Sequence, residues 1–179
     1  MNEIRITPMT EAHIESYHRC LDVVARERRY LCFTAAPPLA QSRAFVRMLL
    51  NGGGVQFAAV DATGEVVGWC DVVRDSRDGF GHAWHLGMGL LPPVRGHGIG
   101  QRLAQAAITS AVERGAVRIE LEVFASNVRA IALYERLGFE REGMKRGARE
   151  LDGIQDDDII MALLIHADWQ PSLITEATT

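Results

Sequence analysis

The chain has 179 residues, and 19 lysines and arginines against 23 aspartates and glutamates give it a formal net charge of −4. Lys145 is the only lysine, which leaves 18 arginines. Hydrophobic residues make up 47% and charged residues 23%, close to the averages for globular proteins, so disordered and fibrous classes are excluded. The length predicts one domain that buries a single core without covalent cross-links.

Three missing features narrow the class of protein further. No run of 18 apolar residues occurs and the start lacks a signal peptide, so we expect a cytoplasmic protein without membrane contact. The arginines are scattered among the acidic residues, so no nucleic-acid partner is expected. Cys20, Cys32 and Cys70 are odd in number and lack CxxC spacing, which predicts reduced thiols and no metal site.

The first half of the chain predicts one strand, two helices and a meander of three strands. Alternation in IRIT indicates the first strand, and Thr10 is an N-cap candidate for the helix that follows. The second helix begins after Pro37 and Pro38 and ends at three glycines. A short connection between the next two strands indicates a hairpin. In chain order, the predicted elements are a strand at residues 4–7, helices at 11–28 and 39–53, and strands at 55–61, 66–73 and 83–91.

The second half predicts an alternation of helices and strands. Its elements are a helix at residues 101–115, a strand at 118–125, a helix at 127–138 and a strand at 158–165, with a short additional strand compatible around 141–149. A meander combined with crossovers predicts an α+β domain over residues 1–165. We expect a single mixed central sheet of six to seven strands with helices on both faces. Residues 166–179 are predicted to be a partly disordered C-terminal tail.

A glycine-rich turn, RGHGIG, lies between a predicted strand and a predicted helix at residues 95–100. Free backbone N–H groups and the positive end of the helix dipole converge at such a turn, which suits a phosphate. The spacing is neither that of a P-loop nor that of a dinucleotide fingerprint. In a chain rich in arginine and glycine the turn alone is weak evidence, so its surroundings decide its meaning.

Two segments together resemble the GNAT superfamily of N-acetyltransferases. Arg95, Gly98 and Gly100, preceded by LGMGLLPPV, resemble its acyl-CoA pyrophosphate loop, and NVRAIALYERLGF, from Asn127 to Phe139, resembles its second diagnostic stretch. The resemblance covers roughly residues 4–164 and implies the GNAT fold and acetyl-CoA as acetyl donor, without a metal. The pattern is most similar to the subgroup of ribosomal-protein N-terminal, phosphinothricin-type and small amino-acid acetyltransferases.

The resemblance also implies where the cofactor binds. It predicts a V-shaped opening between strands 83–91 and 118–125, with an oxyanion met by a backbone N–H near Gly89, Leu90 or Leu91. Asn127 is expected to contact the cofactor, although it can equally be only a helix cap. His97 and Arg102 are either cofactor contacts or solvated surface residues. The implied cofactor-binding residues are Leu90, Leu91, Arg95, Gly96, His97, Gly98, Ile99, Gly100, Arg102 and Asn127.

The implied catalytic residues are Tyr134 and His85. Tyrosine, with a pKa of about 10, can protonate a leaving thiolate, although Tyr134 also has the spacing of a core residue. Related enzymes often carry a carboxylate on the strand before the phosphate loop, where this sequence has His85. Imidazole changes charge near neutral pH, so His85 can accept the proton of the amine, and a packing role is the alternative.

The loop between the first two helices usually forms one wall of the acceptor site in this superfamily. Glu27 could bind an amino group, Arg28 a carboxylate, and Tyr30 lies beside them; ion pairs on an exposed helix end are the alternative. The leading hypothesis is direct acetyl transfer to a small-molecule amine, such as a free amino acid, in a ternary complex. Protein N-terminal acetylation and a non-catalytic acyl-CoA-binding module are the alternatives. Action on charged tRNA is disfavoured, and a homodimer is compatible with the sequence.

Overall fold

The computed structural model describes residues 3–166 and 169–170. The strands are β1 (Arg5–Pro8), β2 (Gly54–Val60), β3 (Val66–Arg74), β4 (Ala83–Leu90), β5 (Arg118–Phe124), β6 (Glu140–Leu151) and β7 (Ile154–Leu164). The helices are α1 (Ile14–Arg26), α2 (Leu39–Met48), α3 (Ile99–Glu113) and α4 (Val128–Arg136), and short 3-10 turns precede α1 and α3.

All seven strands form one sheet in the order β1-β2-β3-β4-β5-β7-β6. Only β4 and β5 are parallel, and they are connected through α3, as a parallel pair requires a crossover. The other neighbours are antiparallel. The predicted single mixed sheet of six to seven strands is therefore confirmed.

Strand β4 is paired unequally on its two sides. Its pairing with β3 continues from Trp84 to Leu90. Its pairing with β5 covers only three residues and ends at His85 opposite Glu120. Beyond that point β4 and β5 diverge, which produces the V-shaped opening that the resemblance to the GNAT superfamily implies.

Helices cover both faces of the sheet because alternate strand residues point to opposite sides. Helices α1 and α2 pack on one face, where the buried residues include Ile14, Val46 and Trp69. Helices α3 and α4 pack on the other face, where the buried residues include Leu103 and Ile119. Complete burial of an aliphatic side chain such as Ile14 or Leu103 contributes about 1.5–3 kcal/mol to the free energy of unfolding. The two cores hold β4 and β5 in place at their diverging ends.

The carboxyl-terminal hairpin differs from the prediction. Strand β6 extends over residues 140–151 rather than forming a short optional strand, and β7 begins at Ile154 rather than at residue 158. Strand β6 lies at the sheet edge and is exposed along most of its length, so it lacks the apolar alternation that marks a strand in sequence. The turn at Asp152 and Gly153 uses positive φ angles of 54° and 75°.

Smaller differences concern helix ends and the tail. Helix α3 begins at Ile99, two residues before the predicted start, because the glycine-rich turn leads directly into the helix. Most of the predicted tail, residues 167–168 and 171–179, lies outside the described residues. The domain boundary at residue 165 stays a prediction.

The three cysteines are free thiols, as the sequence predicts. Cys20 and Cys70 are buried and Cys32 is exposed. Within residues 3–166 and 169–170, no group of three or more His, Cys, Asp or Glu side chains could hold a metal ion. None of the described helices has the length and hydropathy required to cross a membrane.

Two glycines in β4 make room for side chains that lean across from β3. A Cβ atom at Gly89 would lie within 2.8 Å of three ring carbons of Trp69. A Cβ atom at Gly87 would lie 3.1 Å from Oδ2 of Asp71. Trp69 is buried and packs edge-on against Tyr17, so its indole cannot move aside. Glycine at position 89 is therefore required by packing.

Replacement of Gly89 by alanine should lower the free energy of unfolding by ~2 kcal/mol, because the added methyl overpacks the Trp69 indole. A shift of that size corresponds to a fall in Tm of about 4–8 °C for a chain of this length. Gly143→Ala is the matched control, since its Cβ would meet only Ile160 at an ordinary 3.7 Å. Thermal unfolding measures both variants, and equal Tm values would contradict this packing argument.

Candidate active site

The diverging strands open into a cavity of about 770 Å³. Its walls come from β4, β5, α4, the glycine-rich turn, the segment after α1 and the carboxyl-terminal hairpin. The predicted site residues that line it are Tyr30, Leu90, Arg95, Gly96, Gly98, Gly100, Asn127 and Tyr134. The remaining predicted residues lie outside this lining.

The glycine-rich turn presents a row of unpaired backbone donors. Gly96 and Gly98 adopt left-handed conformations with φ angles of 84° and 75°. Within the described chain, the N–H groups of residues 96–101 have no hydrogen-bond acceptor, and Arg102 is the next residue to donate, to the carbonyl of Gly98. Six free N–H groups at the positive end of α3 form a site for an anionic group such as a pyrophosphate.

The side chains around this turn contribute unequally. The Ile99 side chain is buried in the core, so only its N–H group faces the turn. His97 and Arg102 are exposed. The guanidinium of Arg129, on α4, lies close to Gly96, with Nη2 3.3 Å from the position of a Cβ there. Arg129 thus adds a positive charge beside the turn that the sequence analysis did not identify, because its proximity depends on how α4 packs.

Arg95 is directed away from the turn's N–H groups and towards the segment after α1. Its guanidinium donates to both carboxylate oxygens of Glu27, with Nη1 2.8 Å from Oε2, and to the carbonyl of Leu90 at 2.7 and 2.9 Å. It also lies 5.0 Å from the centre of the Tyr30 ring. Arg95, which was predicted to bind the cofactor, and Glu27, which was predicted to bind the acceptor, therefore form one half-buried ion pair.

The tip of the carboxyl-terminal hairpin packs against the same segment. Arg28 donates to both carboxylate oxygens of Asp152, at 2.9 and 2.6 Å. Arg149 donates to the carbonyl of Arg28 at 2.7 Å and stacks over the Phe124 ring at 4.6 Å. Because Arg28 already binds the Asp152 carboxylate, it is not free to bind a carboxylate of the acceptor. The guanidinium that lies in the cavity wall is that of Arg149.

The backbone of β4 directs two N–H groups into the opening. The Leu91 N–H donates to the Val67 carbonyl at 2.9 Å, so it is not available to a ligand. Because N–H direction alternates along an antiparallel strand, the N–H groups of Leu90 and Met88 point away from β3, towards the gap beside β5. Leu90 is therefore the better donor for a carbonyl oxygen in the opening than Leu91.

Tyr134 lies in the cavity wall on α4. It is 7% exposed, and its ring packs against Phe139 with centroids 5.8 Å apart. Burial, and then the nearby Cys70, raise the pKa of the Tyr134 phenol above its usual value. The phenol therefore stays protonated at neutral pH and can act as a proton donor.

Asn127 caps the same helix. Its Oδ1 accepts a hydrogen bond from the Ala130 N–H at 3.3 Å. Its side chain also lines the cavity. The capping role is thus present, and the amide nitrogen is left to contact a ligand.

Two acidic residues in the cavity were not identified from the sequence. Glu122 on β5 and Asp158 on β7 both line it, and Glu122 also forms an ion pair with Lys145. A hydrogen bond from Lys145, and then one with Asp158, lower the pKa of Glu122. Burial, and then a hydrogen bond with Glu122, raise the pKa of Asp158 to about 6. Alternation in RIELEVF predicts that the Glu122 side chain points away from the core. The position of Asp158 beside this strand depends on the pairing of β5 with β7, which the sequence does not show.

His85 does not line the cavity. Its Nε2 lies 3.3 Å from Oδ2 of Asp75 and its Nδ1 lies 3.3 Å from Oε1 of Glu120. It occupies the last position at which β4 still pairs with β5, just before the opening. The structure therefore places Glu122 and Asp158, rather than His85, in the same cavity as Tyr134.

Two solved acetyltransferase structures share this fold. The chain aligns with a GNAT superfamily phosphinothricin acetyltransferase from Sinorhizobium meliloti in complex with AcCoA at a TM-score of 0.85, with 18% identity over 98% of this chain and 97% of that one. It aligns with ribosomal-protein-alanine N-acetyltransferase from Brucella melitensis at a TM-score of 0.83, with 23% identity over 90% and 99%. At these identities the alignments show a common fold.

Sequence comparison identifies the family. [Ribosomal protein bS18]-alanine N-acetyltransferase from Escherichia coli (strain K12) is 40% identical over 74 residues, which are 41% of this chain and 50% of that protein. The chain thus spans about half the length of this curated relative. The family model described as "Acetyltransferase (GNAT) family" matches residues 17–139. The chain therefore belongs to the GNAT acetyltransferase family.

Proposed function

We propose that the protein is an acetyl-CoA-dependent N-acetyltransferase that acts on a primary amine by direct transfer in a ternary complex. The observation that carries this proposal is the arrangement of the cavity. Free N–H groups of the glycine-rich turn lie at one wall, and Tyr134 lies in the same cavity as Glu122 and Asp158. An anion site, a proton donor and a proton acceptor are what this transfer requires.

The residues present fit the anionic part of acetyl-CoA. The N–H groups of residues 96–101 and the Arg129 guanidinium would hold its pyrophosphate, and Asn127 would contact the arm that enters the opening. Bound acetyl-CoA supplies a thioester whose carbonyl carbon the acceptor amine can attack. The Leu90 N–H points into the opening, where it can donate to a carbonyl oxygen.

In the proposed transfer the acceptor nitrogen loses two protons and the sulfur gains one. The ammonium proton of the acceptor passes to the Glu122 and Asp158 pair, because Asp158 has a pKa of about 6 and is ionised at neutral pH. Tyr134, which stays protonated, donates to the departing sulfur as the tetrahedral intermediate collapses, and the second proton that the acceptor nitrogen loses restores the phenol. Retention of both groups favours an enzyme over a non-catalytic acyl-CoA-binding module.

The acceptor is proposed to be small, such as a free amino acid. The contacts of Arg28 with Asp152, and of Arg149 with the Arg28 carbonyl, join the segment after α1 to the carboxyl-terminal hairpin, and both of these elements line the cavity, which favours a compact acceptor. A protein amino terminus is the second candidate, supported by the name of the Escherichia coli relative. A cytoplasmic location and a homodimer stay predictions from the sequence.

An acceptor panel tests the proposed function. Purified protein and acetyl-CoA are incubated with free L-amino acids and with short peptides that begin with alanine, and CoA release and acetylated products are measured by mass spectrometry. Amino acids should be acetylated with a higher kcat/KM than peptides. Faster acetylation of the peptides would select the protein acceptor instead. Protein that binds acetyl-CoA and releases no CoA with any acceptor would contradict the proposed activity.

Tyr134→Phe should lower kcat by about 100-fold or more, because the variant keeps the ring but loses the proton donor. Its packing against Phe139 should be preserved, so Tm should change little. The Kd for acetyl-CoA, measured by calorimetry, serves as the control and should stay within about twofold of the wild-type value. An unchanged kcat would assign Tyr134 to packing alone.

Glu122→Gln should lower kcat/KM for the acceptor by about 100-fold, since it removes a carboxylate from the acid pair. His85→Gln should change kcat/KM by less than about threefold, because His85 lies outside the cavity lining. In the wild type, kcat/KM should fall as the pH drops through about 6, when Asp158 gains a proton. A larger loss of kcat/KM in His85→Gln than in Glu122→Gln would instead identify His85 as the general base.

A further inference from the structure

The guanidinium of Arg149 lies in the cavity wall without a carboxylate partner. Nearly all residues of β6 are exposed, but Arg149 is half-buried and lines the cavity. Its Nη2 donates to the carbonyl of Arg28 at 2.7 Å, and its Nη1 lies 3.5 Å from the carbonyl of Arg29. Among the described residues Arg149 forms no ion pair. Carbonyl groups are neutral, so its positive charge is not balanced by a direct contact.

The acidic residues beside Arg149 are bound to other groups. Asp156 is opposite Arg149 in the register of β6 and β7, but its carboxylate accepts hydrogen bonds from the N–H and the hydroxyl of Ser126. Asp152, at the hairpin tip, binds Arg28 at 2.6 and 2.9 Å. A guanidinium has five N–H donors, and the two backbone carbonyls use at most two of them. Arg149 therefore retains donors for an anionic ligand.

A ring on β5 holds this guanidinium in position. The Cζ atom of Arg149 lies 4.6 Å from the centre of the Phe124 ring, which is a favourable cation–π distance. The ring and the carbonyls of Arg28 and Arg29 together restrict the guanidinium to one orientation. A group that is already ordered loses little entropy when a ligand binds. Arg149 is thus preorganised for an anion in the cavity.

Negative charge lies a short distance away on the same wall. Glu122 precedes Phe124 by two residues on β5, so the two side chains share a face of the sheet and are about 7 Å apart along the strand. Asp158 pairs with Phe124 in the register of β5 and β7. Glu122, Asp158 and Arg149 all line the cavity. This wall therefore has a negative end at the acid pair and a positive end at Arg149.

An ammonium and a carboxylate attached to the same carbon fit this arrangement. With a charge-assisted hydrogen bond of about 2.8 Å at each end, the two groups and the carbon between them span a separation of this size. A guanidinium also matches a carboxylate through two parallel N–H donors. A free amino acid presents both charged groups. The first residue of a peptide has a neutral amide in place of the carboxylate.

We propose that Arg149 binds the α-carboxylate of the acceptor and thereby restricts the enzyme to free α-amino acids. The inference rests on the proposed acetyl transfer, because it places the acceptor ammonium at the Glu122 and Asp158 pair. It assigns to Arg149 the carboxylate-binding role that the sequence suggested for Arg28, whose guanidinium is bound to Asp152. Arg149 determines specificity and takes no part in proton transfer.

The test compares amino acids with their amides, in a binding measurement that does not depend on turnover. The probes are L-leucine, L-methionine and L-phenylalanine with their amides, because Val24 and Leu31 contribute apolar surface to the cavity. Ligand-observed NMR titration gives their Kd values for the full-length protein saturated with CoA. Arg149→Gln removes the guanidinium.

Two control variants separate recognition from structure. Arg146→Gln makes the same change at an exposed position of β6 outside the cavity lining. Asp152→Asn weakens the contact of the hairpin tip with Arg28 and leaves Arg149 unchanged.

The wild type should bind each amino acid at least about tenfold more tightly than its amide, because the amide lacks the charge that Arg149 contacts. Arg149→Gln should reduce this ratio to about twofold or less with an unchanged Kd for acetyl-CoA, and both controls should keep the wild-type ratio. In turnover the same preference should appear in the acceptor KM. An amide group lowers the pKa of the neighbouring amine, so a preference for the acid cannot come from easier deprotonation.

Equal binding of acids and amides by the wild type, or binding of none of the three acids, overturns the proposal. An Arg149→Gln variant that keeps the preference also overturns it, and the wild-type comparison decides alone if that variant does not fold. The expected binding pattern without acetylation of any acceptor would leave the carboxylate site standing and reject the proposed activity. Acetylation without a preference for the free acid would do the reverse.

Discussion

Strand β4 hydrogen-bonds to β3 over its whole length and to β5 over only three residues, and the rest of the site depends on that inequality. A fully paired β4 would have no backbone donor free for a ligand, because both of its edges would be used. The divergence releases the N–H groups of Met88 and Leu90 into a cavity. Helices α3 and α4 pack across one face of the opening, so the unpaired edge is enclosed by protein rather than left as an aggregation-prone edge.

Two charged contacts connect the walls of this opening. Arg95 holds the carbonyl of Leu90 and the carboxylate of Glu27 together, which joins the end of β4 to the segment after α1. Arg28 and Asp152 join that segment to the hairpin tip. The excess of arginine over lysine therefore has a structural role. A planar guanidinium can donate to two or three acceptors at once, whereas the lysine ammonium lacks this fixed planar geometry.

The sequence predicted most of the fold and about half of the site. The glycines and α4 could be placed because their signals are local: turn geometry at Gly96 and Gly98, and helical spacing around Tyr134. The proximity of Glu122 and Asp158 could not be predicted, because it depends on pairing between β5 and a strand more than 30 residues later. Arg95 was assigned to phosphate since its partner Glu27, 68 residues away, is a tertiary contact.

The three-residue join between β4 and β5 also has a thermodynamic consequence. The two parts of the sheet share few backbone hydrogen bonds at this point, so a molecule that enters the opening and contacts both parts adds cohesion that the chain alone lacks. Such a molecule binds the folded state and not the unfolded chain. At a concentration 100 times its Kd it adds about 2.7 kcal/mol to the free energy of unfolding. The stability of this protein is therefore linked to the supply of the ligand that its opening receives.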